Sequence, residues 1–322
     1  VTSNPATQRF ESAALLGGDR DLARATAAAA RGGDDHAAAD LAALWVHVAA
    51  VAPERLADCY DAAAEGWFGR PSSALPIAAP AVPATATGAT PDAFWASFWD
   101  LVLDENTGRD AGDITTRTAA LAGLVDESFR RRIAATSLAF PGVAEASAAG
   151  DPVPFVLSQV EGHPEGSLAG HLHWLVVEKG FDLEVLDRSV LDLSSLPVPL
   201  GYLNSRILQC HDIWHEVGGF DTTVLHEIAI SGFQLGQFGH HYSSMFLAVT
   251  ASKVALTQPA AVGLIYDMVL AGWAHGRETP ALLGVPWEQL WHEQVDEIRT
   301  RLGVSAFRSP HPADLIEQLL AG

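Results

Sequence analysis

The chain has 322 residues, 48% of them apolar and only 18% charged, which excludes a disordered chain and is enough to bury one large core or two modest ones. Its formal charge is −20, from 39 acidic and 19 basic residues, with no basic run to neutralise successive phosphates, so the composition argues against a nucleic-acid partner. Cys59 and Cys210 are the only cysteines and form neither a disulfide framework nor a zinc knuckle, which fits a reducing compartment.

The first residues, VTSNPATQRFESAALLGGDRD, do not resemble a secretory signal. No stretch reaches the roughly 18 uninterrupted apolar residues of a membrane span. The nearest, 259–273, is broken by Asp267 and reads as a buried helix. The expectation is a cytoplasmic protein, at most peripheral on the inner membrane face. Only Lys179 and Lys253 are lysines, a skew towards arginine that fits a GC-rich, bacterial genome.

Alanine is abundant and β-branched residues sparse, which favours helices. Residues 11–68 carry helical periodicity, with Leu41, Leu44, Trp45 and Val48 along one face and N-cap candidates at 33–36, and predict a helical hairpin in an N-terminal extension spanning 1–70. The Pro- and Ala-rich stretch 71–91 predicts a linker or extended strap. From residue 92 a second helical region begins, with Phe94, Trp95, Phe98 and Leu101 at helix spacing behind Pro91. Further helices are predicted at about 114–138, 168–179, 199–217, 223–252, 257–275, 285–302 and 312–320. No alternating strand pattern or fixed-period repeat interrupts them. The predicted fold is an all-α multi-helix bundle.

The segment QCHDIWHEVGGFDTTVLHEIAISGFQLGQ carries the chemistry. His211 and His215 stand four apart, so on a helix they share a face about 6 Å apart. Asp212 flanks the same spot. Gly218 and Gly219 suit the left-handed conformation that ends helices, and Asp221, Thr222 and Thr223 are N-cap candidates for the next. So short a turn makes the two helices antiparallel and brings Glu227 level with His215. Two imidazoles and two carboxylates suit zinc, ferrous iron and manganese alike, and the ligand types do not choose the metal. The plainer reading is that a histidine pair at i and i+4 is common by chance on helices. His226 points about 100° away from Glu227 and reads as a surface or outer residue. His240 and His241 fall roughly 20 Å further along a continuous helix and read as ordinary polar or core histidines.

The pattern His211-Asp212-x-x-His215, eleven residues, Glu227 resembles the signature of the coenzyme Q biosynthesis protein four family in each ligand and in the gap length. HPEGSLAGHLHWLVVEKGFD at 163–182 and AGWAHGRETPALLGVPWEQLWHEQVDEIRTRLGV at 271–304 are similar to the family's flanking segments. The resemblance covers about 92–305. It departs where Leu208, Gln209 and Cys210 replace charged residues that usually precede the His-Asp pair.

The resemblance implies an all-α fold with a metal site between two antiparallel helices. In it His211, Asp212, His215 and Glu227 bind a divalent metal, usually zinc, with iron, manganese or cobalt as other candidates. It also implies a prenylated aromatic or polyprenyl lipid ligand, association with other quinone-biosynthesis enzymes, and oxidative decarboxylation of a prenylated 4-hydroxybenzoate derivative late in ubiquinone synthesis. A homo-oligomer is compatible with it. Glu216 and His226, next to ligands, are weak candidates for a general acid or base, each more readily read as solvated. Residues 243–256 and 259–270 either line a prenyl-tail tunnel or are plain core, the latter being the simpler reading. Two other functions stay open: a non-catalytic polyprenyl-lipid-binding scaffold, and a His-Asp metal phosphohydrolase, which lacks its upstream histidine here.

Overall fold

The described residues of a computed structural model, 5–78, 80, 91–106, 111–183, 193 and 196–321, form fifteen α-helices and no β-strand. The N-terminal region is four helices rather than a hairpin: α1 (Pro5–Leu16), α2 (Arg20–Arg31), α3 (Asp35–Ala50) and α4 (Leu56–Phe68). The extra boundaries follow from caps. The Asp19 carboxylate accepts the Leu22 N–H, and that of Asp34 accepts from His36 and Ala37, each directly after a glycine pair. Helix α3 is buried on nearly every face, as expected for an Ala/Leu/Trp/Val run without a polar stripe.

Residues 71–78 are non-helical and are tied down by the Arg277 guanidinium, which donates to the Leu75 carbonyl. The rest of the predicted strap, 79 and 81–90, lies outside the described residues. Helix α5 (Asp92–Leu103) follows Pro91, and the predicted 114–138 helix is two, α6 (Ala111–Gly123) and α7 (Glu127–Leu138). Asp126 starts the second by accepting the Phe129 N–H at 2.8 Å. Next come the short α8 (Val143–Ser147) and α9 (Leu168–Lys179), the latter with the predicted bounds.

The C-terminal half contains α10 (Leu200–Gly218), α11 (Val224–Phe238), α12 (His241–Thr257), α13 (Val262–Glu278), α14 (Val295–Leu302) and α15 (Leu315–Ala321). Two expectations need correction. The helix predicted over 223–252 breaks at Gly239, which takes φ 61° and closes its N–H on the Leu235 carbonyl. The helix predicted over 285–302 begins only at Val295. Before it, the Glu293 and Trp291 carbonyls accept the N–H groups of Leu168 and Ala169, so the backbone there is spent on α9.

Helices α11 and α13 approach so closely that glycine is required on both. A Cβ at Gly272 would sit 2.0 Å from the Ala229 carbonyl oxygen and one at Gly276 2.3 Å from that of Phe233. In return, a Cβ at Gly232 would meet the Val269 oxygen at 2.5 Å. The other side of α13 takes the N-terminal helices. Trp45 stacks on Tyr60 at 5.2 Å, and Tyr266 and Trp273 close over the pair. Buried Asp61 accepts from Trp273 Nε1 at 2.9 Å and Arg277 Nε at 3.3 Å. Asp267 accepts from Trp67, Arg31 and His311. The segments considered for a lipid tunnel lie on α12 and α13, where Met245, Leu247, Val249, Val269 and Leu270 are fully buried core.

Candidate metal centre

Contacts of α10 with α11 and the start of α12 run in reverse order along the chain, as antiparallel neighbours require: His215 meets Glu227 and His211 meets Gln234 on α11, and Asn204 meets His240 at the head of α12. The bend is built as its sequence predicts. Gly219 ends α10 in the left-handed region with φ 79°, its N–H returning to the His215 carbonyl, and a Cβ there would press on Ala306 and Phe307. Arg299 of α14 donates to the Val217 and Glu216 carbonyls and so satisfies the end of α10. Thr223 is the N-cap residue of α11 by backbone shape, yet its side chain makes no capping bond. Glu317 of α15 instead accepts the Val224 N–H at 2.9 Å, a long-range cap that local sequence gave no means of finding.

His211, His215 and Glu227 each bring one ligand atom into a group spanning no more than 4.8 Å. The two Nε2 atoms are 3.1 Å apart, and the Glu227 oxygens lie 3.3 Å from His215 and 3.4 Å from His211. Bonds of about 2.0–2.1 Å to a tetrahedral cation give ligand–ligand edges of about 3.3–3.4 Å, so these residues fit a zinc-sized ion. His215 has the support such a ligand needs, because its Nδ1 lies 3.3 Å from the Phe220 carbonyl and can donate to it, leaving Nε2 free. Phe220 is itself fixed by stacking on Phe307 at 4.6 Å.

The electrostatics agree. Burial drives the Glu227 carboxyl upward, but hydrogen bonds to both imidazoles outweigh it and hold the group far below the ordinary carboxylate range. Burial likewise pulls the His215 imidazole down, and the Glu227 carboxylate reverses that, leaving it above its usual value. In both, the site favours opposite charges at contact distance.

Asp212 is not part of the 4.8 Å group, although its carboxyl, raised chiefly by burial, feels the charges of His211, His215 and Glu227. Glu216 is paired with His171 Nδ1 at 3.2 Å. His226 is not on the surface: it is 4% exposed and its Nδ1 accepts the Asp221 N–H at 2.7 Å, bracing the bend. His240 does not continue α11: the break at Gly239 redirects the chain and sets its Nε2 3.2 Å from Asn204 of α10. Of the residues replacing charged ones before the His-Asp pair, Gln209 is bonded between Arg206 and the Val153 carbonyl, and Cys210 is fully buried.

Fold and site together define an all-helical protein with a two-histidine, one-carboxylate cluster at the bend of a helical pair. Residues 198–308 match the family model described as Coenzyme Q (ubiquinone) biosynthesis protein Coq4, and the chain is a relative of that family. It is 28% identical over 151 residues to the mitochondrial ubiquinone biosynthesis protein COQ4 homolog of Mus musculus, covering 46% of this chain and 54% of that one. The COQ4 homolog of Leishmania braziliensis is 28% identical over 110 residues, covering 33% and 59%. The chain thus spans about half the length of the curated relatives it matches. A crystal structure from Nostoc punctiforme PCC 73102, provisionally described as a ubiquinone biosynthesis protein, superposes with a TM-score of 0.51 at 28% identity, over 67% of this chain and 98% of that one.

Proposed function

We propose that the chain is a metal-dependent enzyme of ubiquinone biosynthesis that oxidatively decarboxylates a prenylated 4-hydroxybenzoate derivative. His211, His215 and Glu227 hold a divalent cation, zinc first, and Asp212 is the fourth ligand or an outer anion beside them. The observation that carries this reading over a purely structural ion is the lopsided burial of the cluster. His215 is 2% exposed at its base while Glu227 is 46% exposed at its mouth. Structural zinc sites are closed, whereas catalytic ones keep a position open to water or substrate.

A bound divalent ion supplies Lewis acidity towards a ring carboxylate and phenolate. The protein's share is orientation: the His215 bond to Phe220 and the Arg299 clamp on the end of α10 keep the two imidazoles in place as charge develops nearby. The ring carbon exchanges its carboxylate for a hydroxyl: the carboxylate leaves as carbon dioxide, dioxygen takes up the two electrons and two protons and leaves as hydrogen peroxide, and water supplies the hydroxyl. Among the described residues no helix is long and apolar enough to cross a membrane, so delivery of a polyprenyl substrate is assigned to peripheral contact or to partner enzymes of the same pathway.

The test is turnover of a short-chain prenylated 4-hydroxybenzoate by the purified, zinc- or iron-loaded chain in air, followed by mass spectrometry for loss of the carboxylate and gain of a hydroxyl. Product from the wild type and none from a folded Glu227→Ala variant supports the reading. No product from metal-loaded wild type overturns it in favour of the scaffold.

A further inference from the structure

Behind His211 runs an unbroken line of buried polar side chains that the cation cluster itself does not use. Gln234 lies with its amide nitrogen 2.8 Å from His211 Nδ1 and its amide oxygen 3.4 Å from Ser243 Oγ. Ser243 Oγ is 2.9 Å from His240 Nδ1, His240 Nε2 is 3.2 Å from Asn204 Oδ1, and Asn204 Nδ2 donates to the Leu200 carbonyl at 2.7 Å. Gln234, Ser243 and His240 are all at most 5% exposed, so every donor here needs an acceptor within the line.

The line has one fixed end, and that end sets the direction of every proton in it. The Leu200 carbonyl can only accept, so Asn204 turns its NH2 there and its oxygen to His240. His240 must then carry its proton on Nε2. Burial pushes its pKa down to about 3, so the ring is neutral and Nδ1 is a bare acceptor. The Ser243 hydroxyl donates to it, and the free lone pair on Ser243 Oγ asks for an N–H from Gln234. Turning the Gln234 amide end for end serves both of its contacts, since oxygen and nitrogen exchange places without moving other atoms. Its oxygen then faces His211 Nδ1.

We infer that Gln234, Ser243, His240 and Asn204 are positioning residues that lock His211 as the Nδ1–H tautomer, so that its Nε2 lone pair is presented to a cation beside His215 and Glu227. The inference rests on the metal-centre reading above, but the proton on His211 Nδ1 is a property of the protein without any ion. His215 reaches the same state by one backbone carbonyl, and His211 reaches it through four side chains on three helices.

Two measurements on the full chain test it. In the metal-free protein at pH 7.5, long-range 1H–15N correlation of labelled histidines is expected to show a proton on Nδ1 of His211, and Gln234→Met is expected to return the ring to the form common in solution, with Nδ1 bare. Zinc affinity, by competition with a chromophoric chelator, is expected to fall 10- to 100-fold in Gln234→Met and to stay within about threefold of wild type in Gln234→Glu, whose carboxylate still accepts from Nδ1–H. His240→Phe, two links away, is expected to weaken zinc in the same direction. A bare Nδ1 on His211 in the wild type overturns the inference, as does equal weakening by Met and Glu at position 234. Failure of the wild type to bind zinc overturns the metal-centre reading instead and leaves the tautomer result to decide this one.

Discussion

His211 and His215 face each other Nε2 to Nε2 at 3.1 Å, with both oxygens of Glu227 within 3.4 Å of one or the other. Two lone pairs that close repel unless a proton or a cation lies between them. The arrangement therefore stores a preference for positive charge that a divalent ion satisfies better than a proton can.

Ion binding is for that reason expected to stabilise the fold. Zinc at a free concentration 100 times its dissociation constant adds about 2.7 kcal/mol, which is about 4 °C in a chain of this size. Thermal unfolding with zinc, and again after chelation, measures it. Glu227→Ala is expected to lose most of the shift.

The contact between α11 and α13 predicts a sharp intolerance. Gly272→Ala places a methyl 2.0 Å from the Ala229 carbonyl, so the helices must separate, and a loss of about 3 kcal/mol is expected. Gly263→Ala, on the same helix with nothing within 4 Å of its new Cβ, is the control and should be neutral or slightly stabilising. Urea unfolding of the two variants decides the matter.

Acid sensitivity follows from two histidines buried as neutral rings. His240 and His241 titrate near 3 and 4 in the fold because burial opposes their charge, against about 6.5 in the unfolded chain. Above pH 6.5 both states are unprotonated and stability is flat with respect to these groups. Between 6.5 and 4 only the unfolded chain takes up protons, so stability falls with pH, by up to about 3 kcal/mol for each ring. Unfolding free energies from pH 7.5 to 4.5 should show this slope, and His241→Leu should remove roughly half of it.

Buried Asp61 links α4 to α13 through Trp273 and Arg277. Asp61→Ala leaves Arg277, whose side chain is 4% exposed, without that counter-charge, and a loss of about 3–5 kcal/mol is expected. If chemical denaturation shows less than 1 kcal/mol, the pair is not a structural tie.

The sequence made the helical class legible because composition and a 3.6-residue period report directly on local structure. The His211/His215/Glu227 cluster was legible for a related reason: a four-residue step and a diglycine bend are local features with one geometric outcome. What could not be read was set by distant backbone. The division of 285–302 depends on hydrogen bonds to residues 168 and 169, and the cap on α11 comes from Glu317, ninety-three positions away. The break at Gly239 had a signal, since glycine is the usual residue beyond a helix end, but the apolar pattern on either side ran through it. The Gly232/Gly236 and Gly272/Gly276 spacings were visible as well and gained meaning only once α11 and α13 were neighbours.

The seam of Trp45, Tyr60 and Trp67 against Tyr266 and Trp273 has a practical corollary. The stretch matching the family model is not an excisable unit in this chain. Cutting before residue 198 would bare the flank of α13 that those aromatic rings shelter, and the fragment would precipitate or recruit a substitute surface rather than stand alone.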